Sequence, residues 1–279
     1  MGKPPKLAVR DVGDVPLREV SGLARFGGRL LAVGDHDPAL FAAPLDQWPL
    51  RWQGTDLAHL NLPDGGVQFE AVEPAADGLI LVLQEQPARV LQIDPAGPAL
   101  AGTLTLEVPD GHPLHEAWVG DRSSRGESLV LAAAGHLLVV KEKNPAAILE
   151  FGPAGVAAVG WRRGGPVSAP PRGDAALTAL ATWLLSDDLA ALLPDISDAT
   201  VGPDGRLYLL SDQGSGIVRL PDVLDPRGGT LESVAAWRIA GQPRGAEGLV
   251  ILDDGTVLVG LDTKAAKRNL LRLDPLPLD

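Results

Sequence analysis

The stretch DISDATVGPDGRLYLLSD, residues 195–212, decides how this chain is read, and GAEGLVILDDGTVLVGLD, residues 245–262, repeats its grammar. Each is a short apolar run, an Asp-Gly turn and a second apolar run that ends at an acid. Asp204-Gly205 and Asp254-Gly255 carry the chemistry of a two-residue hairpin turn, whose central positions need a positive φ. Working outward, the same unit starts at Ser21-Gly22-Leu23, Glu70-Ala71-Val72, Glu127-Ser128-Leu129, Ser197-Asp198-Ala199 and Glu247-Gly248-Leu249. Eight residues after each start stands a glycine (Gly78, Gly135, Gly205, Gly255), with Gly28 one place early in the first copy. Fifteen residues after each start stands an acid (Glu85, Glu142, Asp212, Asp262), with Asp35 again one place early.

A third apolar run follows each acid, as at residues 89–93, 147–151, 217–220 and 270–273, and Pro-Ala precedes it at Pro38-Ala39, Pro87-Ala88 and Pro145-Ala146. A fourth strand fits at residues 50–53, 100–108, 156–161 and 231–239, while the fifth copy runs out of chain. Residues 6–12 at the other terminus supply its missing strand. Four-stranded units repeated around an axis and closed by the chain ends describe an all-β fold, a β-propeller. The starts are 49, 57, 70 and 50 residues apart, with 53 on wrapping through the termini, so the reading is one domain over residues 1–279 with five blades. Six blades is the alternative, because the long interval has room for another. That interval holds DAALTALATWLLSDDLAALL, residues 174–193, whose Leu177, Leu180, Ala181 and Leu184 recur at helical spacing. It predicts a helical insertion, residues 166–194, lying as a lid over the channel face.

The composition fits a globular protein: 279 residues, 45% hydrophobic, 22% charged. The absence of Cys excludes disulfides, thiolate metal sites and a cysteine nucleophile. A formal charge of -12 argues against nucleic acid and anionic membrane surfaces as partners, since both require clustered Lys and Arg. The opening residues Met1-Gly2-Lys3-Pro4-Pro5-Lys6 lead into no apolar signal core. The expectation is a cytoplasmic monomer.

SGLARFGGRLLAVGD, starting at Ser21, DISDATVGPDGRLYLLSD and GAEGLVILDDGTVLV, starting at Gly245, resemble the SdiA-regulated family of bacterial propellers, and the Glu-Gly-Leu element resembles the propellers called esterase-like phytases. The first resemblance implies the propeller fold, and the second implies hydrolysis of phosphate or carboxylic esters. The third copy departs from the pattern with Arg125-Gly126-Glu127-Ser128, and the second with Glu70-Ala71.

The repeat has a functional consequence of its own. Residues equidistant from a hairpin turn are cross-strand neighbours. Ser21 should therefore face Asp35, Glu70 face Glu85, Glu127 face Glu142, Ser197 face Asp212 and Glu247 face Asp262, all around the mouth of the central channel. Eight of these ten are carboxylates, with Asp198 adjacent. Such crowding demands protonation, pairing with bases or a bound cation. Glu70, Glu127, Asp198 and Glu247 are the candidate ligands for Ca²⁺ or Mg²⁺. Glu70, Glu127, Glu247 and His36 are the candidate catalytic groups, activating water. Arg18, Arg125, Arg244, Lys143, Lys264 and Trp118 are the candidate substrate-binding residues; the same bases would pair with the acids if the ring is purely structural. Neither a nucleotide-binding motif nor a serine-hydrolase elbow is present, and no nucleotide or haem cofactor is expected. The two readings that result are a small-molecule hydrolase of phosphate or carboxylic esters and a non-catalytic ligand- or protein-binding propeller.

Overall fold

A computed structural model describes residues 3–60 and 67–278. The chain opens with two short strands, β1 (Lys6–Leu7) and β2 (Val9–Gly13). The first antiparallel unit then follows: β3 (Val20–Phe26), β4 (Arg29–Gly34), β5 (Ala39–Pro44) and β6 (Gln53–Asp56). The second is β7 (Phe69–Pro74), β8 (Ile80–Gln84), β9 (Arg89–Asp94) and β10 (Ala99–Glu107), and α1 (His115–Gly120) leads out of it. In the third, β11 (Ser128–Leu131), β12 (Leu137–Lys141) and β13 (Ala147–Gly152) are followed by a two-residue strand β14 (Trp161–Arg162) and by β15 (Ala175–Leu185), which is the outer strand; α2 (Asp187–Leu192) comes next. The fourth has β16 (Asp198–Val201), β17 (Leu207–Ser211) and β18 (Gly216–Arg219), then the short β19 (Val223–Leu224) and β20 (Gly229–Leu231), then the outer β21 (Ala235–Ile239). β22 (Ala246–Ile251), β23 (Val257–Leu261) and β24 (Leu270–Leu273) complete the chain.

Each unit begins with the strand nearest the axis. The inner strands β3, β7, β11, β16 and β22 contact one another in a closed cycle, β22 returning to β3. Between neighbouring units lies an apolar cluster. Leu31 and Val33 pack with Phe69 and Ile80; Leu83 and Leu104 with Leu129 and Phe151; Val130 and Ile148 with Leu209 and Val218; Tyr208 and Ile217 with Leu249 and Val259; Leu258 and Leu270 with Val20 and Leu30. Each sheet is thus covered on both faces, and β8, β12, β17 and β23 are buried along their whole length rather than alternately. This arrangement is a β-propeller.

The amino-terminal segment closes the ring by dividing its two strands. β2 pairs antiparallel with β24 as the fourth strand of the last unit, and β1 adds in parallel to β21 of the fourth, Lys6 opposite Arg238. Asp274 fixes the junction, its Oδ2 accepting from Ala8 N at 2.8 Å.

The expected helical insertion over residues 166–194 is not what this segment forms. Residues 175–185 are an eleven-residue strand whose Leu177, Ala179, Ala181 and Trp183 alternate with more exposed neighbours. Leucine and alanine placed there satisfy a period of two as readily as one of 3.6, and a long-range pairing decides between them. β15 runs antiparallel to β13, with Leu149 opposite Thr182, and parallel to β10, with Leu106 opposite Leu177. It displaces residues 156–161 from their expected place as the third unit's outer strand, and it ties the outer edges of the second and third units into one sheet. Only Asp187–Leu192 is helical, capped by Ser186 Oγ accepting from Leu189 N, and Leu189 is 1% exposed in the core between the third and fourth units. It serves as packing, not as a lid.

Removal of residues 1–13 exposes β21 and β24 as open edges and uncovers part of the apolar cluster that includes Leu7. The shortened protein is expected to aggregate or to unfold at a temperature at least 10 °C lower, on the scale of roughly 2–4 °C per kcal/mol for a chain of this size. Unchanged thermal unfolding and a monodisperse sedimentation profile would refute closure by the amino terminus.

Candidate functional site

Every inner strand starts with the same irregularity. Between Val20 and Gly22, between Phe69 and Ala71 and between Ala246 and Gly248 the pairing register shifts by one residue, leaving Ser21, Glu70 and Glu247 as the extra residue of a β-bulge. In the third unit Glu127 N donates to Val140 O, the residue already opposite Ser128, and in the fourth Ser197 N donates to Leu210 O, opposite Asp198. A bulge re-aims one side chain while the strand continues. Repeated around the axis, it turns Ser21, Glu70, Glu127 and Glu247 toward the channel. Glycine after the bulge has a steric cause. A Cβ on Gly22 would lie 2.8 Å from Ala71 Cα, and one on Gly248 would lie 2.6 Å from Leu23 Cγ, so neighbouring inner strands pass where side chains do not fit.

The second set of acids is anchored through the backbone. Asp35 N donates to Glu19 O, Glu85 N to Gln68 O, Glu142 N to Ser124 O and Asp262 N to Gly245 O. Each bond crosses to the segment entering the inner strand of the same unit. Together the two sets line a cavity of about 200 Å³ formed by Glu19, Ser21, Asp35, Glu70, Glu85, Ser123, Glu127, Glu142, Glu247 and Asp262. Eight of the ten residues expected at the mouth are there. Ser197 and Asp212 are spent elsewhere, the hydroxyl donating to Ala246 O at 2.6 Å and the carboxylate accepting from Gly245 N and Ala246 N. Glu19 and Ser123 are the additions. Neither belongs to the repeat, so spacing did not reveal them: Glu19 is a left-handed residue (φ 53°) before β3, and Ser123 comes from the connection after α1.

Among the described residues lining this cavity there is no Lys or Arg. Two bases reach it from outside. Lys143 Nζ lies 2.6 Å from Glu142 Oε2, and His36 lies 2.5 Å from Glu19 Oε2 and 3.2 Å from Asp35 Oδ2. Glu70, Glu127 and Glu247 form no ion pair of this kind; the charges of buried Lys141 and of Lys143 reach Glu127 from farther away. Burial first, then the charges of Asp35, Glu85 and Glu247, push Glu70 well above the usual glutamate range, against a hydrogen bond from Ser21. Burial and the charges of Glu70, Glu142, Glu85 and Glu247 do the same to Glu127. Glu247 rises to about 8 through burial and then Asp262 and Asp212. Glu85 rises to about 7, burial outweighing the hydrogen bond it accepts from Arg125 N. Within the ring, Glu73 on β7 is raised to about 8 by burial and by Asp198.

The remaining expected site residues fall outside the cavity. Asp198 is a latch between three units: Oδ1 accepts from Ser128 Oγ and Ala199 N, and Oδ2 from Leu249 N at 2.5 Å. Its oxygens are committed to holding β11, β16 and β22 together, which removes it from the candidate metal ligands. Trp118 is 3% exposed and packs on Phe151 with ring centroids 5.5 Å apart, in the apolar cluster between the second and third units and not in the cavity wall. Arg125 donates from Nε to Trp118 O and from Nη2 to Val119 O, so its guanidinium caps α1 rather than facing a substrate. Arg18 is exposed and pairs with Asp37 at 3.8 Å, while Arg244 and Lys264 are exposed just outside the cavity segments that carry Glu247 and Asp262.

Chains of known structure share this architecture. A glutaminyl cyclase from Myxococcus xanthus is 14% identical, with a TM-score of 0.54 over 99% of this chain and 100% of its own. Regucalcin from Agrobacterium tumefaciens, a calcium-binding protein, is 12% identical, with a TM-score of 0.55 over 99% of this chain and 96% of its own. No protein-family model and no curated protein sequence matches the chain. At these identities the likeness is one of fold, and it is a propeller fold.

Two predictions follow from this electrostatic arrangement. The raised carboxyls bind protons more tightly in the folded protein than in the unfolded chain, so their contribution to stability is complete below pH 4.5 and is lost as pH rises through about 8. In metal-free buffer the protein is expected to melt at a lower temperature at pH 8.5 than at pH 5.5, and Glu247→Gln should raise the pH 8.5 value by roughly 4 °C, equivalent to about 2 kcal/mol. A Glu247→Gln protein less stable than the parent at pH 8.5 would contradict the repulsion. Asp198→Ala, by contrast, strands three donors and should cost roughly 3 kcal/mol at pH 6, measured by denaturant unfolding. Burial raises the Asp198 carboxyl to about 8 despite these donors, so the cost should shrink as pH rises through that value. A loss under 1 kcal/mol at pH 6 would argue against the latch.

Proposed function

We propose that this propeller is a small-molecule hydrolase acting on phosphate or carboxylic esters, with a divalent cation, Ca²⁺ or Mg²⁺, held at the channel mouth by Glu70, Glu127 and Glu247. The observation that carries the reading is the convergence of these three bulge carboxylates without a basic partner. Oxygen-only donors in a roomy, carboxylate-rich cavity suit a hard cation. The donor chemistry fits the group, since a dication would relieve the repulsion that burial and crowding have built up; the three carboxylates would draw closer together to hold it in common, because their oxygens do not stand within 4.8 Å of one another. Such a cation supplies an electrophile for an ester oxygen and a more acidic bound water.

The chain's own residues divide the remaining work. Glu85, with its pKa near 7, has the affinity needed to take a proton from water at neutral pH. Glu142 stays paired with Lys143, and Asp262 and Asp35 shape the outer wall. Arg18, Arg244 and Lys264 are exposed on segments next to Glu19, Glu247 and Asp262, where their charge would draw an anionic group of the substrate toward a negative mouth. The resemblance of the Glu-Gly-Leu element to esterase-like phytases supports an ester substrate. The calcium-binding character of regucalcin and the enzymatic character of glutaminyl cyclase show that propellers of this size carry such roles, and they support the reading by analogy of fold alone. A purely structural acid ring is the competing reading, favoured by the Lys143–Glu142 and His36–Glu19 pairs.

The deciding experiment uses protein stripped of metal at pH 8. Addition of Ca²⁺ or Mg²⁺ is expected to raise the melting temperature by at least 5 °C, chelator should reverse it, and Glu127→Gln or Glu247→Gln should abolish it. The same protein is then screened against aryl carboxylic and phosphate esters, where turnover should depend on the stabilising cation and fall at least 100-fold in Glu85→Gln. Absence of a thermal shift would favour the structural ring; a shift without turnover would favour a binding propeller.

A further inference from the structure

We propose that Lys141 is a built-in counter-cation of the carboxylate ring: a fixed positive charge behind the cavity wall that competes with the dication and so sets how tightly the mouth holds it. The inference rests on the cation site proposed above and adds to it a residue that the repeat spacing does not single out.

Lys141 is the last residue of β12, and its side chain is 0% exposed, a position lysine rarely takes unless paired. Two features of the backbone put it beside the ring. Glu142, the next residue, lines the cavity. Glu127 N donates to the carbonyl of Val140, the residue before it, so Glu127 and Lys141 meet across the β11–β12 ladder. Alternation along β12 sends Lys141 to the side of Leu137 and Val139, which pack between the second and third units. It is not among the residues that line the cavity, so it acts on the site through its charge and not as a ligand.

Little besides the ring holds that charge. Nζ donates to Lys143 O, and the one carboxylate within ion-pair reach among the described residues, Asp121 Oδ2, stands 4.0 Å away. Asp121 Oδ2 also accepts from Asn144 Nδ2 at 3.3 Å. Burial lowers the Lys141 pKa and Lys143 adds to the drop, while Asp121, then Glu142 and Glu127, oppose it. Two of the three acids that keep the ammonium charged therefore belong to the ring.

The relation is reciprocal. An ammonium that these carboxylates stabilise also repels any cation that comes to them. Lys143 carries the same charge but is 38% exposed, and it can swing away from Glu142 when a dication arrives. Lys141 is enclosed and cannot. Its opposition to the dication is permanent, and it weakens binding by about an order of magnitude for a unit charge at this depth.

The test is calorimetric titration of metal-free protein with Ca²⁺ at pH 8, comparing the parent with Lys141→Met and Lys141→Gln. Met removes both the charge and the hydrogen bond to Lys143 O; Gln removes the charge and keeps a donor for that oxygen, and it serves alone if the Met variant does not fold. Both are expected to bind Ca²⁺ about tenfold more tightly than the parent. The gain should persist in about 0.5 M KCl, because an enclosed charge is poorly screened. Affinity within about twofold of the parent, or weaker, in a folded variant would overturn the role. A gain in Met that is absent in Gln would also overturn it, by assigning the effect to the lost hydrogen bond. A parent that binds no Ca²⁺ would overturn the cation site and this inference with it, whereas a binding parent with unresponsive Lys141 variants contradicts this inference alone.

Discussion

The structure depends on one compromise between backbone geometry and charge. Five inner strands must come within side-chain distance of a common axis, and four of them begin with a bulge that points its extra residue into the cavity. At three of the bulges the inward residue is a glutamate. The fold therefore concentrates carboxylates in a half-buried cavity with no lysine or arginine among the described residues that line it. The apolar clusters between units supply the stability that makes such a concentration tolerable. Asp198 shows how the same environment is resolved when a partner exists: three donors converge on it, and it becomes a fastening.

That contrast separates structural acids from functional ones more sharply than burial does. Asp198, Asp212 and Glu150 are all satisfied by backbone or side-chain donors; Glu150, for instance, accepts from Val159 N, Gly160 N and His136. Glu70, Glu127 and Glu247 are equally crowded and form no ion pair; a hydrogen bond from Ser21 to Glu70 and the more distant charges of Lys141 and Lys143 on Glu127 do not offset what burial and crowding do to them. A cation and protons are interchangeable in this role, which links any metal chemistry at the mouth to pH.

Most of the architecture was legible in the sequence because the repeat fixes both strand spacing and the cross-strand pairing of the acids. Ser21, Asp35, Glu70, Glu85, Glu127, Glu142, Glu247 and Asp262 meet as the spacing required. The failures have physical causes. Residues 175–185 satisfy helical and extended periods alike, and the parallel pairing with Ala99–Glu107 that decides the matter joins segments about seventy residues apart. Asp198 follows a bulge residue and so points away from the channel, a one-residue distinction that register alone reveals. Arg125 and Trp118 belong to a connection whose course no repeat dictates. Glu19 sits two residues before its repeat unit and enters the wall through an unusual backbone angle.

The central claim, that a dication replaces protons on the three bulge glutamates, is tested most directly by measuring proton release. Metal-free protein held in weakly buffered solution at pH 7.5 is titrated with Ca²⁺, with the displaced acid followed by pH-stat. The account predicts net release of about one proton or more per cation bound, diminishing above pH 9 as the carboxyls ionise unaided, and reduced in Glu247→Gln. Cation binding without proton release at pH 7.5 would contradict it, because the carboxyls would then already be ionised and held by some other means.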